Sequence, residues 1–126
     1  MIIDFEEFTD ELNEYERKKL LPVMVRCFEK HVGEGAAITS REIKEKMTAF
    51  GYEISEARIR KVVNVIRRHA LVPCLVSSGK GYYVADEISQ MSDCIDSLQG
   101  REDAIRVVRE ALMVQREQMR IGVLNK

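Results

Sequence analysis

The sequence predicts a mainly α-helical chain that carries one small β-hairpin, with extra helices before and after this centre. Three observations predict it. Two helix starts share one grammar, Ile38-Thr39-Ser40-Arg41-Glu42-Ile43 and Ile54-Ser55-Glu56-Ala57-Arg58-Ile59. A glycine-containing turn, Ser77-Ser78-Gly79-Lys80-Gly81, separates two β-rich runs at 71–76 and 82–85. Apolar residues recur at helical spacing on both sides of that block.

Residues 1–12 are acidic with scattered aromatics (Phe5, Phe8) and are read as an N-terminal arm that either packs on the body or is partly disordered. From 13 to 32 the pattern is helical. Leu21, Val25, Phe28 and Val32 make one stripe, and Leu20, Met24 and Cys27 make a second beside it, so this helix is well buried. Pro22 either kinks it or starts a new helix after Leu21. Gly33-Glu34-Gly35 ends it through a glycine cap. In the next helix, 40–50, Thr39 is the N-cap, and Glu42 completes a capping box. Ile38 and Ile43 have the spacing of a hydrophobic staple. Ile43, Met47 and Phe50 are its core residues, and Gly51 ends it. Ser55 caps the helix 56–69, with Ile54 and Ile59 as its staple. Ile59, Val62, Val63, Ile66 and Ala70 fall in one arc, the core face. The hairpin follows, with Pro73 at a strand start or edge because it lacks an N–H. Asp86 can cap a helix carrying Ile88, Met91, Ile95 and Leu98. Gln99-Gly100 breaks or bends it. A last helix, 101–120, carries Ala104, Ile105, Val108, Ala111 and Leu112, widened by Val107 and Val114, and the tail from Gly122 onward frays. The organisation is therefore an arm (1–12), a central domain (13–85) and a C-terminal helical extension (86–126), within one compact unit.

Bulk composition excludes several classes. A chain of 126 residues can bury its own core. Its 33% charged and 45% hydrophobic residues are those of a globular protein rather than a disordered one. No apolar run approaches the roughly 20 residues of a membrane span. The start, Met-Ile-Ile-Asp-Phe-Glu-Glu, lacks the basic region of a signal peptide, so a cytoplasmic location is expected. Cys27, Cys74 and Cys94 are read as buried thiols, and no Cys or His spacing suggests a metal. No cofactor is expected. Ser78-Gly79-Lys80-Gly81 is not a phosphate loop, because Cys74 stands where such a loop needs glycine, and a strand follows the Lys. Catalysis is not expected.

Net charge is −1, but its distribution is uneven. Residues 1–37 hold five Lys/Arg against nine Asp/Glu, and residues 86–126 hold six against eight. Residues 38–85 hold nine against four, a surplus of five positive charges. A local basic patch captures phosphate whatever the overall charge.

On a helical wheel, Ala57, Lys61, Asn64 and Arg68 lie opposite the core face of helix 56–69. Arg60 and Arg67 flank them on one side, Arg58 and Val65 on the other. Asn bonds adenine bidentately, Arg bonds guanine, and an apolar side chain meets the thymine methyl. Ala57, Arg58, Lys61 and Asn64 are candidate base contacts, being early in the helix. Arg67, Arg68 and His69 come late and are candidate phosphate contacts. Ser40, Arg41 and Lys44 open the preceding helix, whose N-terminus can face phosphate. Lys80 at the hairpin tip can reach the adjacent backbone or minor groove. Double-stranded DNA is the expected partner.

With these residues in view, the block 38–85 resembles the winged helix-turn-helix superfamily. More narrowly, the chain resembles small DNA-binding proteins of prophages and phage-like elements. The matching pieces are Tyr15-Glu16-Arg17-Lys18 with Leu20-Leu21-Pro22-Val23, the two helices between Thr39 and His69, Gly81-Tyr82-Tyr83, and Ser97-Leu98 with Arg101. The resemblance implies DNA binding in a phage-type setting, as a transcriptional regulator or accessory factor. One Lys and no Arg in the wing is a departure that weakens the expected wing contact. A winged helix used only for protein–protein contact is the competing reading, since fold does not fix function. The broad apolar face of 101–121 is read either as a homodimer contact or as packing on the N-terminal helix of the same chain.

Overall fold

A computed structural model describes residues 12–123. All but the last residue of the expected arm, and the tail 124–126, lie outside the described residues. Helices dominate, with one two-stranded antiparallel hairpin. Contacts divide the chain into two units, one ending at Met91 and the other beginning at Ser92.

The first unit opens with a capping box. Asn13 Oδ1 accepts from the Glu16 N–H at 2.8 Å, and Glu16 Oε1 accepts from the Asn13 N–H at 2.9 Å. A π-helical turn, Glu16–Leu20, then leads into α1 (Leu21–Glu29). Pro22 explains the wide turn. It has no N–H, and its ring would strike the Lys18 carbonyl of a regular α-helix; one extra residue in the turn removes the conflict. Pro22 thus sits in the first turn of α1. Leu20, Leu21, Met24, Val25 and Phe28 are buried. The helix ends at Glu29 rather than near Val32. Val32 is exposed and bridges Val84, while Gly33 (φ 84) precedes a 3-10 turn, Glu34–Ala36, instead of capping α1.

Next come α2 (Ser40–Ala49) and α3 (Glu56–Arg68). Thr39 and Glu42 form the expected capping box at 3.1 Å in both directions, and Ser55 Oγ accepts from the Arg58 N–H at 3.1 Å. The staple residues Ile38, Ile43, Ile54 and Ile59 are all buried. Each such side chain stabilises the fold by about 1.5–3 kcal/mol relative to exposure. Both helices end in Schellman motifs. After α2, the Gly51 N–H donates to Thr48 O at 3.0 Å and the Tyr52 N–H to Met47 O at 2.9 Å. After α3, the Ala70 N–H donates to Arg67 O at 3.3 Å and the Leu71 N–H to Ile66 O at 3.0 Å. Three expectations fall here. Phe50 is 68% exposed, because it occupies the C-cap, where the chain turns off the core face. Ala70 is exposed at φ 51, because it takes the left-handed position usually held by glycine. Val65, expected beside the outward stripe, is buried in the core with Ile59, Val62, Val63 and Ile66.

The hairpin is shorter than its β-rich runs. β1 (Leu75–Ser78) pairs antiparallel with β2 (Gly81–Val84) around a two-residue turn, Gly79-Lys80. Pro73 and Cys74 lie in a turn before β1, and Cys74 is exposed at φ 64 rather than buried. Burial pushes the Cys27 thiol pKa up, which keeps it protonated. The free edge of β2 bonds the loop after α1. The Ile38 N–H donates to Tyr82 O at 2.9 Å, and the Tyr82 N–H to Ile38 O at 2.8 Å. The Gly33 N–H donates to Val84 O at 2.8 Å, and the Val84 N–H to His31 O at 2.7 Å. These bonds tie the hairpin to the start of α2. Gly81 permits the approach, since a Cβ there would lie 2.5 Å from the Ile38 carbonyl oxygen.

The remaining helix is α4 (Ile88–Arg120), 33 residues without interruption. Gln90 Oε1, not the Asp86 side chain, caps its start, accepting from the Asp86 and Glu87 N–H groups at 2.9 and 3.2 Å. Gly100 does not break it. A glycine inside a helix costs only about 1 kcal/mol relative to alanine, which a helix this long absorbs. Gln99 Nε2 also donates to Asp103 Oδ1 across that position at 3.0 Å. Gly122 (φ 80) ends α4 in a further Schellman motif, so Gly122 and Val123 are ordered by backbone bonds instead of frayed.

Two substitutions test these constraints by urea unfolding. Gly81→Ala should lower stability by about 2–4 kcal/mol through strain and overlap with the Ile38 carbonyl. Ala70→Gly should raise it by about 0.5–1 kcal/mol by relieving a left-handed L-residue. An unaffected Gly81→Ala variant would contradict the close approach of β2 to α2.

Candidate nucleic-acid interface

The candidate face begins with α3, whose core residues fix its rotation. Burial of Val65 turns the open side toward Ala57, Arg60, Asn64 and Arg68. All four are exposed. Arg60 and Asn64 engage no described residue in a hydrogen bond or ion pair.

Arg58, Lys61 and Arg67 of α3 have internal partners. Glu16, buried at 2% exposure, reaches them from the π-helical turn. Its Oε1 accepts from Lys61 Nζ at 2.8 Å, and its Oε2 lies 3.2 Å from Arg58 Nε. Tyr15 adds a second grip. The Arg58 guanidinium lies over its ring at 5.5 Å, and its hydroxyl donates to Glu53 O at 2.8 Å in the turn between α2 and α3. Desolvation opposes the Glu16 charge, but the Lys61 ammonium, the Asn13 N–H and Arg58 outweigh it and hold the carboxyl below its ordinary range.

At the far end of α3, Arg67 turns toward the hairpin. Its Nε donates to Leu75 O at 3.2 Å, and its guanidinium lies 5.5 Å over the Tyr82 ring. Arg67 is therefore a tie between α3 and both strands. Tyr82 also meets Phe28 edge-on, with ring centroids 5.8 Å apart.

The α2 and hairpin candidates come together through backbone pairing. Ser40 opens α2, half-buried. Arg41 is exposed and pairs loosely with Glu45 at 3.5 Å, and Lys44 is exposed. Gly81 approaches the Ile38–Thr39 peptide, which brings the hairpin tip beside the N-terminus of α2. Lys80 at that tip lies 3.7 Å from Glu34 and stays largely exposed.

The sequence-level candidates thus separate. Ala57, Arg60, Asn64 and Arg68 are exposed on one face. Arg41, Lys44 and Lys80 are exposed cations around the α2 start. Arg58, Lys61 and Arg67 are engaged within the fold. Sequence reading missed Glu16 and Tyr15. Their signal was Asn13-Glu14-Tyr15-Glu16, whose Asn and Glu have capping-box spacing. Among the described residues no group of His, Cys, Asp or Glu could hold a metal ion, and no helix is long and apolar enough to cross a membrane. Comparison with protein-family models, curated proteins and solved structures gave no match to the chain.

Glu16→Gln tests the clamp. The variant should lose about 1–2 kcal/mol at neutral pH, discounted because Lys61 and Arg58 are partly solvated. The folded pKa of Glu16 lies below its ordinary value of 4.5. Its contribution is therefore complete above that value and disappears as pH falls through the folded pKa. Unfolding curves of wild type and variant should keep a constant gap above about pH 5.5 and converge in acid. A gap undiminished in acid would show that charge is not its source.

Proposed function

We propose that the chain is a duplex-DNA-binding protein, a phage-type transcriptional regulator or accessory factor of winged helix-turn-helix type. In this reading α3 enters the major groove. One observation carries it: Ala57, Arg60, Asn64 and Arg68 form an exposed stripe on the helix that follows the α2 turn. This set combines a methyl contact, an amide able to read adenine, and two guanidinium groups. Arg41, Lys44 and Lys80 supply phosphate contacts around the α2 start, where N–H groups also favour anions. Lys61 and Arg58 join the contact only in exchange for Glu16. Two copies of the chain, joined through 101–121, would match a two-fold DNA site.

A second reading, a winged-helix module for protein–protein contact in a phage or nucleoprotein assembly, is favoured by a different observation. Glu16 already neutralises two of the α3 cations, and α4 exposes a long series of apolar side chains.

Retention on generic duplex DNA separates the two. A phosphate-binding face holds duplex DNA at about 50 mM salt and loses it steeply as salt rises. Failure to bind there would sink the DNA reading and leave the interaction module. Arg60→Gln should weaken binding to all sequences and reduce the slope of log K against log salt by about 1. An unchanged slope would remove Arg60 from the interface.

A further inference from the structure

The second unit consists of most of α4, and along it Cys94 is buried while a series of large apolar side chains is exposed. Leu98, Ile105, Leu112 and Met119 recur every seven residues and are 46–69% exposed. A seven-residue apolar repeat supplies one of the two lines of a left-handed helix seam, and of Arg101, Val108 and Gln115 on the second line Val108 is apolar. Val108 lies beside this line, and so do the small residues Ala104 and Ala111, which let a second backbone come close.

Charge along α4 supplies the orientation. Residues 93–103 carry Asp93, Asp96, Glu102 and Asp103 against Arg101 alone. Residues 104–120 carry Arg106, Arg109, Arg116 and Arg120 against Glu110 and Glu117. Asp103 pairs with Arg106, and Glu117 with Arg120, inside the helix. Asp93, Asp96 and Glu102 in the first half, and Arg109 and Arg116 in the second, have no described partner.

We infer that α4 pairs antiparallel with α4 of a second copy, with the two-fold axis at Ile105. This deepens the homodimer reading above, on which it rests. The axis sets Leu98 of one copy against Leu112 of the other, since both lie seven residues from Ile105. It also sets Glu102 near Arg109 of the second copy, and Ala104 near its own counterpart beside the axis. The acidic half of each helix then faces the basic half of its partner. Parallel pairing in register would stack acid on acid and base on base, which disfavours it at both ends.

Oxidative cross-linking of the full chain reads the orientation. L98C and L112C are made as separate variants, with the wild type as the baseline for the native thiols, and peptide masses identify the linkage. The expected result is a cross-link between L98C and L112C only when the two variants are mixed. Cross-links formed by each variant alone, between identical positions, would overturn the antiparallel arrangement while leaving a dimer. Light scattering that reports one chain at high concentration would overturn the dimer itself. Ile105→Glu should convert the dimer to monomer with helical content retained, because Ile105 is exposed in the single chain.

Discussion

The Glu16 carboxylate sits where three segments meet. It closes the capping box with Asn13, it lies at the first position of the π-helical turn that Pro22 requires, and it receives Lys61 and Arg58 from α3. A buried carboxylate without partners would cost several kcal/mol, so the fold keeps it only because both oxygens are satisfied. Satisfying them fixes the rotation of α3. With Lys61 and Arg58 drawn toward Glu16, Val65 turns inward, and the open stripe becomes Ala57, Arg60, Asn64 and Arg68. The cap of one helix thus determines which side chains of another meet solvent.

The same contact bears on the proposed polyanion. Phosphate and the Glu16 carboxylate are chemically similar acceptors for ammonium and guanidinium groups. Any phosphate that took Lys61 would leave Glu16 partly unpaired in a desolvated position. On the DNA reading, Arg60 is the α3 cation that meets phosphate without breaking the clamp. Arg67 is equally committed, since releasing it from Leu75 and Tyr82 would loosen α3 from the hairpin.

What was legible in the sequence was local. Thr39 with Glu42, Ser55, the paired isoleucines and the glycine-containing turn act within a few residues, so each helix start and the hairpin could be read from the chain alone. The misreadings involve interactions distant in sequence, or local motifs whose usual residue is missing. Phe50 and Ala70 looked apolar and periodic, but both fall where a helix terminates. Ala70 occupies a position at which glycine is the ordinary signal. Gly100 looked like a break, although a long helix absorbs one glycine. At the candidate site, charge count and wheel pointed to α3, on which Arg60 and Asn64 are exposed. They overstated its free cations because Glu16 is 42 and 45 residues away from Arg58 and Lys61.

A net charge of −1 conceals two separate patterns. In the first unit, positive charge gathers on α2, α3 and the hairpin tip, and an acidic residue of the preceding turn offsets part of it. In the second, acid and base are segregated along one helix. Within a single helix, segregation of this kind follows the helix dipole, but apart from the boundary pair Asp103–Arg106 the two halves gain little from each other, because their centres are far apart. About 25 Å separates the halves of a 33-residue helix at 1.5 Å per residue, more than twice the screening length at physiological salt. In the proposed antiparallel pair, a neighbour running the opposite way brings the halves within reach. There the charge order of α4 would add to the dipole effect an attraction between copies, and the apolar line along the same helix would supply the contact.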